Sequence, residues 1–200
     1  MALESLKLLS RPVEAWRALA DRNASFARRL VDAAAWALVP AVCWYVGITS
    51  VGWQIGDEPH IRMTPASALR ICAAFYVAMI AGVLVLGYIV HWMSLTYAAT
   101  TSTFAKGLTI VVYTATPFFL AGVLGLYPSL WIDITVGVVA GIYCVYLLYL
   151  GVPIVMKIPP ERGFLFATAV IGAALVGIVA AMAGTALVWD FGAEPVFIPA

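Results

Sequence analysis

Two hundred residues with 64% hydrophobic and 10% charged side chains, at a mean hydropathy of +1.01, exclude a soluble globular domain, whose apolar share is about half. The formal net charge of +1 gives no reason to expect a nucleic-acid partner. Cys43, Cys72 and Cys144 lie within or at the edge of apolar runs without close spacing, which excludes a disulfide framework or a zinc ribbon.

Residues 1–30 form a charged leader. From Pro12 to Arg22, at about 100° per residue, Val13, Trp16, Leu19 and Ala20 share one helical face, and Arg11, Glu14, Arg17, Asp21 and Arg22 the opposite half. Pro12 suits the first helical turn, where its missing N–H costs nothing. A short basic amphipathic helix carrying a tryptophan is expected to lie in the membrane interface or to pack on the protein's own end. Arg11, Trp16, Arg17 and Arg22 are its candidate contacts to a cytoplasmic partner or to lipid headgroups. The leader is too long and charged for a secretory n-region and the first apolar run is longer than a typical h-region, so that run is expected to remain as a span.

Five apolar runs follow, at residues 31–53, 67–93, 107–127, 132–156 and 164–189. Each is long enough for a bilayer core about 30 Å thick, which takes roughly 20 helical residues. The expected fold is all-α: a polytopic membrane protein with a five-transmembrane-helix bundle at 31–200, preceded by the amphipathic interfacial helix of the leader. Between the first two runs, Asp57, Glu58 and His60 decorate a polar loop whose spacing matches no metal signature. A hydroxyl-rich loop joins the second and third runs. Tyr127-Pro128-Ser129 turns tightly, making the third and fourth runs an antiparallel hairpin, and Pro159 and Pro160 stiffen the loop to the fifth. Trp53, Trp92, Trp131 and Trp189 fall at run ends, where amphipathic rings prefer the headgroup region.

Charge orients the bundle. Lys7, Arg11, Arg17, Arg22, Arg28 and Arg29 precede the first run, and alternation places Lys106, Lys157 and Arg162 on the same side, nine of the eleven basic residues. The positive-inside rule then sets the N-terminus in the cytoplasm and the C-terminus outside.

The run centres contain no Asp, Glu, Lys, Arg, His, Asn or Gln, which argues against ion pumping, where intramembrane charges mark the path. No set of activated nucleophile and base stands out, so no catalytic residue, cofactor or metal ligand is expected, and the chain reads as a non-enzyme. His91 beside Trp92 reads as an interface anchor. The remaining polar groups are hydroxyls: Tyr113, Thr114 and Thr116 before Pro117 in the third run, and Tyr143, Tyr146 and Tyr149 before Gly151 and Pro153 in the fourth. Tyr113, Thr114, Thr116, Pro117, Tyr143, Tyr146 and Pro153 together form a candidate polar seam or ligand groove between neighbouring, proline-kinked helices. Gly137 and Gly141, in G-x-x-x-G spacing, and the stripe through Ala173 and Gly177 are candidate close-packing surfaces, within the bundle or in a homo-oligomer.

The leader Arg11-Pro12-Val13-Glu14-Ala15-Trp16, the stretch Tyr113-Thr114-Ala115-Thr116-Pro117, and the segment from Tyr143 through Leu150-Gly151-Val152-Pro153 to Met156-Lys157 resemble the Yip family, five-span membrane proteins named for interacting with Ypt/Rab GTPases. The similarity is to the compact bacterial branch, the inner-membrane Yip-domain proteins. The resemblance implies a five-helix bundle with a cytoplasmic N-terminus in the bacterial inner membrane. In eukaryotic members it implies Rab binding and scaffolding of vesicle traffic. The reading that follows is a membrane adaptor or scaffold that engages a cytoplasmic or peripheral protein partner and the lipid bilayer. Its rival is a small transporter, channel or lipid-handling protein with a path along the third and fourth runs.

Overall fold

The computed structural model describes residues 7–22, 25–54, 60–97, 102–190 and 194–199, with residues 187–190 described by backbone alone. Five helices are long and apolar enough to cross a membrane: Phe26–Val51, Pro65–Thr96, Phe104–Leu126, Leu130–Met156 and Pro160–Ala186. The five-span, all-α expectation is therefore met. The elements are α1 (Pro12–Ala20), α2 (Phe26–Val46) continued by a π-helical turn (Gly47–Val51), β1 (Ile61–Met63), α3 (Pro65–Thr96), α4 (Phe104–Thr114), α5 (Thr116–Ala121) continued by a 3-10 turn (Gly122–Leu126), α6 (Leu130–Met156), α7 (Pro160–Asp190) and β2 (Phe197–Pro199).

At 1.5 Å per residue, α3 and α6 are about 48 and 40 Å long, so both exceed the hydrocarbon core. Their excess builds the ends of the bundle. At the leader end, Leu8, Trp16, Leu108, Tyr113, Leu147, Val152, Met156 and Phe166 are among the side chains of one large buried core. At the far end, a small cluster of Ile48, Met63, Ala68 and Cys72 packs beneath Trp44 and Trp53. Between them the bundle presents an exposed apolar belt, including Val77, Val85, Val138, Val139, Val176 and Val179. A belt of this kind suits the hydrocarbon core of a bilayer.

Two boundaries differ instructively from the sequence expectation. α2 starts at Phe26, five residues before the first apolar run, because the residues around Arg29 continue the helix into the span. The residues after α7 also do more than trail away. β2 pairs antiparallel with β1, Ile61 opposite Pro199 and Met63 opposite Phe197. Val196 N donates to Ser67 Oγ at 3.2 Å, and the Trp53 and Phe197 rings meet edge to face at 5.7 Å.

The helix crossings rely on small residues, but not on those the spacing suggested. A Cβ on Gly137, Gly141 or Gly177 would meet nothing within 4 Å, so these glycines pack against no other part of the described chain, and Ala173 is only half-buried. The close approaches lie elsewhere. Gly107 on α4 sits against the backbone oxygen of Gly87 on α3, Gly122 lies on Pro40 of α2, and Gly125 lies on the Trp44 ring. The reason is rotational: spacing identifies a stripe, but neighbouring contacts decide which stripe turns inward.

The third span breaks midway. Ala115 N still bonds Val111 O at 2.9 Å, but Pro117 has no N–H, and Phe118 N and Phe119 N both return to Ala115 O, at 3.0 and 3.1 Å. Beyond the break α5 packs on both α6 and α2, and the 3-10 turn then presses mainly onto α2 through Gly122 and Gly125.

Candidate functional site

Three features merit description: a buried charged cluster, the docked leader, and a lateral groove between the third and fourth spans.

Arg29 and Asp32 stand three residues apart on α2, hence on one helical face. Arg29 is 3% exposed and Asp32 2%. Arg29 Nη1 donates to Asp32 Oδ2 at 2.9 Å and to the Tyr113 hydroxyl at 2.8 Å, and that hydroxyl donates to Asp32 Oδ2 at 3.3 Å. The guanidinium carbon lies 5.1 Å from the centre of the Tyr113 ring. Arg29 Nε and Asp32 Oδ1 are buried with no hydrogen-bond partner among the described residues. A desolvated pair of this kind contributes little net stability against an apolar replacement, yet removing one partner is severe. It pins the first span to the third. Sequence reading missed it because Arg29 counts with the leader and Asp32 stands just inside the apolar run. The available signal was the i, i+3 Arg–Asp pair straddling the start of that run.

The leader is docked, not loose. α1 turns Ala15, Trp16 and Leu19 inward, and Trp16 has no exposed surface. Its ring covers Gly151 of α6, where an added Cβ would come 2.6 Å from Trp16 Cε2. The preceding turn is held as well, since the Tyr143 hydroxyl of α6 lies 3.1 Å from the backbone oxygens of both Leu8 and Leu9 and donates to them. Leu8 with Tyr143 and Trp16 with Gly151 keep the same eight-residue offset, so the leader runs parallel to α6. Trp16 is thus corrected: it is a packing anchor, unavailable to a partner or a headgroup. Arg11, Arg17 and Arg22 are exposed, with Arg11 in an exposed 3.5 Å ion pair with Glu14.

The groove has a cavity volume of about 820 Å³, and Pro117, Leu124, Val139, Ala140, Tyr143 and Tyr146 are among its twelve lining residues. It lies beside α5, which packs on α6, and the 3-10 turn, which leans mainly onto α2. Three of the seven predicted seam residues therefore come together here. Tyr113 turns away into the charged cluster, Thr116 is buried with its hydroxyl on Val112 O at 3.2 Å, and Thr114 Oγ1 is buried without a partner among the described residues. Pro153 sits at the leader end against Gly163 of α7. The seam is consequently not polar. Its only hydroxyls are those of Tyr143 and Tyr146, whose rings lie 5.6 Å apart.

One further pairing escaped the sequence. His91 Nδ1 and Ser102 Oγ are 3.0 Å apart, tying the end of α3 to the residue before the Thr103 cap of α4. No carboxylate among the described residues orients the imidazole, so the base–orienter link of a catalytic dyad is not formed there. His60 is exposed, and Asp57 and Glu58 lie outside the described residues. Among the described residues, no three His, Cys, Asp or Glu side chains group to hold a metal ion.

A family model described as the Yip1 domain matches residues 6–181. The chain is 35% identical, over 156 residues, to the inner membrane protein YohC of two Escherichia coli strains, covering 78% of this chain and 80% of each relative. No solved structure matches it.

Proposed function

The chain belongs to the Yip1 domain family of membrane proteins, and from that premise we propose that it is a non-enzymatic adaptor of the inner membrane that presents a fixed cationic face to an acidic cytoplasmic partner. One observation carries this reading: the leader helix spends its apolar side internally, Trp16 on Gly151, so its charged side is displayed in a set orientation. A preorganised face loses less freedom on binding than a mobile one. Arg11, Arg17 and Arg22 are exposed on it and, with Lys157 and Arg162 exposed at the same end of the bundle, outnumber the exposed Glu14, Asp21 and Glu161. The positive-inside count supports a cytoplasmic location for that end. The name of the E. coli relative supports placement in the inner membrane.

The test replaces Arg11, Arg17 and Arg22 together with glutamine in the full chain, followed by crosslinking in native membranes and identification of captured proteins. Membrane insertion should be unchanged and capture of the main partner lost. Identical capture by wild type and triple variant would sink the proposal. The transporter reading draws support from the lateral groove alone. Its apolar lining suits an acyl chain and offers none of the charged rings or carbonyl ligands that select ions.

A further inference from the structure

We propose that the residues after α7 form a releasable clasp: β2, paired on β1, holds the far half of α7 to the bundle, and opening the clasp frees that half to swing. The inference concerns the end of the molecule away from the leader and does not rest on the adaptor reading.

Three observations carry it. First, the packing of α7 is concentrated near its start. Gly163, Phe166, Ala167 and Val170 are buried. Gly163 meets Pro153 of α6, the Tyr149 hydroxyl lies 2.9 Å from Thr168 Oγ1, and the Phe166 ring stacks on Tyr97 at 4.9 Å. These contacts fix the leader-end half of α7 on α6 and on the end of α3.

Second, the far half stands clear. Every residue from Leu175 to Ala183 is exposed, about two and a half helical turns with no buried face. A Cβ on Gly172, Gly177 or Gly184 would meet nothing within 4 Å. Lipid tails are as apolar as the helix, so nothing but packing draws it to its neighbours, and an unpacked stretch is free to tilt.

Third, the chain returns to the bundle. β2 runs antiparallel to β1, Thr64 N donates to Val196 O at 3.0 Å, and Val196 N donates to Ser67 Oγ at 3.2 Å. The Phe197 ring meets that of Trp53 at 5.7 Å. β1 is itself held on its other edge, where Trp53 and Ile61 exchange two backbone bonds of 3.0 Å. The receiving strand is therefore tied to the first span and leads directly into α3, and the tail is the movable partner.

The clasp is also the weaker of the two attachments of α7. Val196, Phe197 and Ile198 stay exposed, so β2 contributes backbone bonds and one ring contact with little burial. Such bonds at a wet surface exchange with water at small net cost, and a two-stranded ribbon this short is marginal by itself. Opening therefore starts at this end, while the fully buried Phe166 keeps the other end in place. From Ile171 to Met182 the helix rises about 16 Å, so a change of tilt of about 20° carries Met182 by about 6 Å.

The experiment uses the full chain in lipid nanodiscs, spin-labelled through a ketone-bearing amino acid that leaves the native cysteines in place. One pair of labels, at Leu69 and Met182, reads the far end, and a second, at Leu95 and Leu165, reads the leader end; all four positions are exposed. Pulsed double electron–electron resonance gives the distance distribution of each pair, and in the wild-type chain both should be narrow. Removing residues 196–200 should shift or broaden the Leu69–Met182 distribution by about 6 Å and leave Leu95–Leu165 unchanged. Should the shortened chain fail to insert, Val196→Pro with Phe197→Ala removes the donor to Ser67 and the ring on Trp53 at full length and should give the same result. A far-end distribution as narrow without the clasp as with it overturns the proposal, since something else would then hold that half. So does one already broad in the wild-type chain, where the clasp would hold nothing, and so does equal broadening at both ends, which marks release of the whole span.

Discussion

Replacing Asp32 with alanine would leave the Arg29 guanidinium 3% exposed with its 2.9 Å carboxylate partner gone and only the Tyr113 hydroxyl bonded to it. An uncompensated buried charge of this kind costs about 3–5 kcal/mol. Tyr113→Phe keeps the ion pair and loses one hydroxyl bonded to charged groups, so it should cost about 1.5–3 kcal/mol. The double variant Arg29→Met, Asp32→Leu removes both charges and refills the space with apolar atoms. It should lie within about 1 kcal/mol of wild type, since exchanging a buried pair for packed hydrophobes is often neutral or stabilising. The assay is reversible unfolding in bicelles by detergent titration, read by tryptophan fluorescence, with all four proteins compared side by side. The reasoning fails if Asp32→Ala costs less than about 1 kcal/mol, or if the double variant is as unstable as Asp32→Ala. The first result would mean that water reaches the pair, the second that the pair contributes net stability.

Other substitutions separate packing from appearance. Gly151→Val drives a branched side chain into the Trp16 ring and should release the leader, seen as new protease cleavage between residues 7 and 22 while the spans stay intact. Tyr143→Phe removes the hydroxyl that holds the Leu8 and Leu9 carbonyls and should weaken docking by about 1 kcal/mol, measurable as faster amide hydrogen exchange in α1. Gly107→Val meets backbone of α3 and should destabilise by several kcal/mol in the same detergent titration. Gly137→Ala meets nothing and should stabilise α6 by about 0.5–1 kcal/mol, through the lower backbone entropy cost. A marked loss of stability in Gly137→Ala would point instead to a helix seated on that face in an oligomer.

The spans were legible because the bilayer leaves the backbone little choice: every polar group must be satisfied within a helix of fixed minimum length. The amphipathic leader was legible for the same kind of reason, since Trp16 and Leu19 return to one face at helical spacing. What these signals do not encode is rotation about a helix axis. Tyr113 and Pro117 are four residues apart and would share a face in an unbroken helix, which is why they read as one seam with Tyr143 and Tyr146. The break at Ala115 separates them, sending Tyr113 to Arg29 and Pro117 to the groove. Arg29 was hidden by its company, a basic residue among basic residues, until Phe26 proved to begin the helix. The β1–β2 pairing was hidden by brevity, because three-residue strands are too short to show alternation.

The break in the third span connects these features. Both of its halves are committed to the first span, one through the hydroxyl of Tyr113 on Arg29 and Asp32, the other through Gly122 on Pro40 and Gly125 on Trp44. Both α4 and α5 also pack on α6, and only the 3-10 turn at the end of the third span leans mainly onto α2, beside the groove. The leader then closes one end of that groove: the Leu9 side chain lines it, while the Leu9 carbonyl accepts from Tyr143, whose ring forms part of the same wall. Tyr143 thus belongs to both structures at once. A groove-filling side chain that shifts this ring acts on the leader through one hydrogen-bonded phenol. By reciprocity of coupling, whatever grips the leader acts on the groove to the same extent.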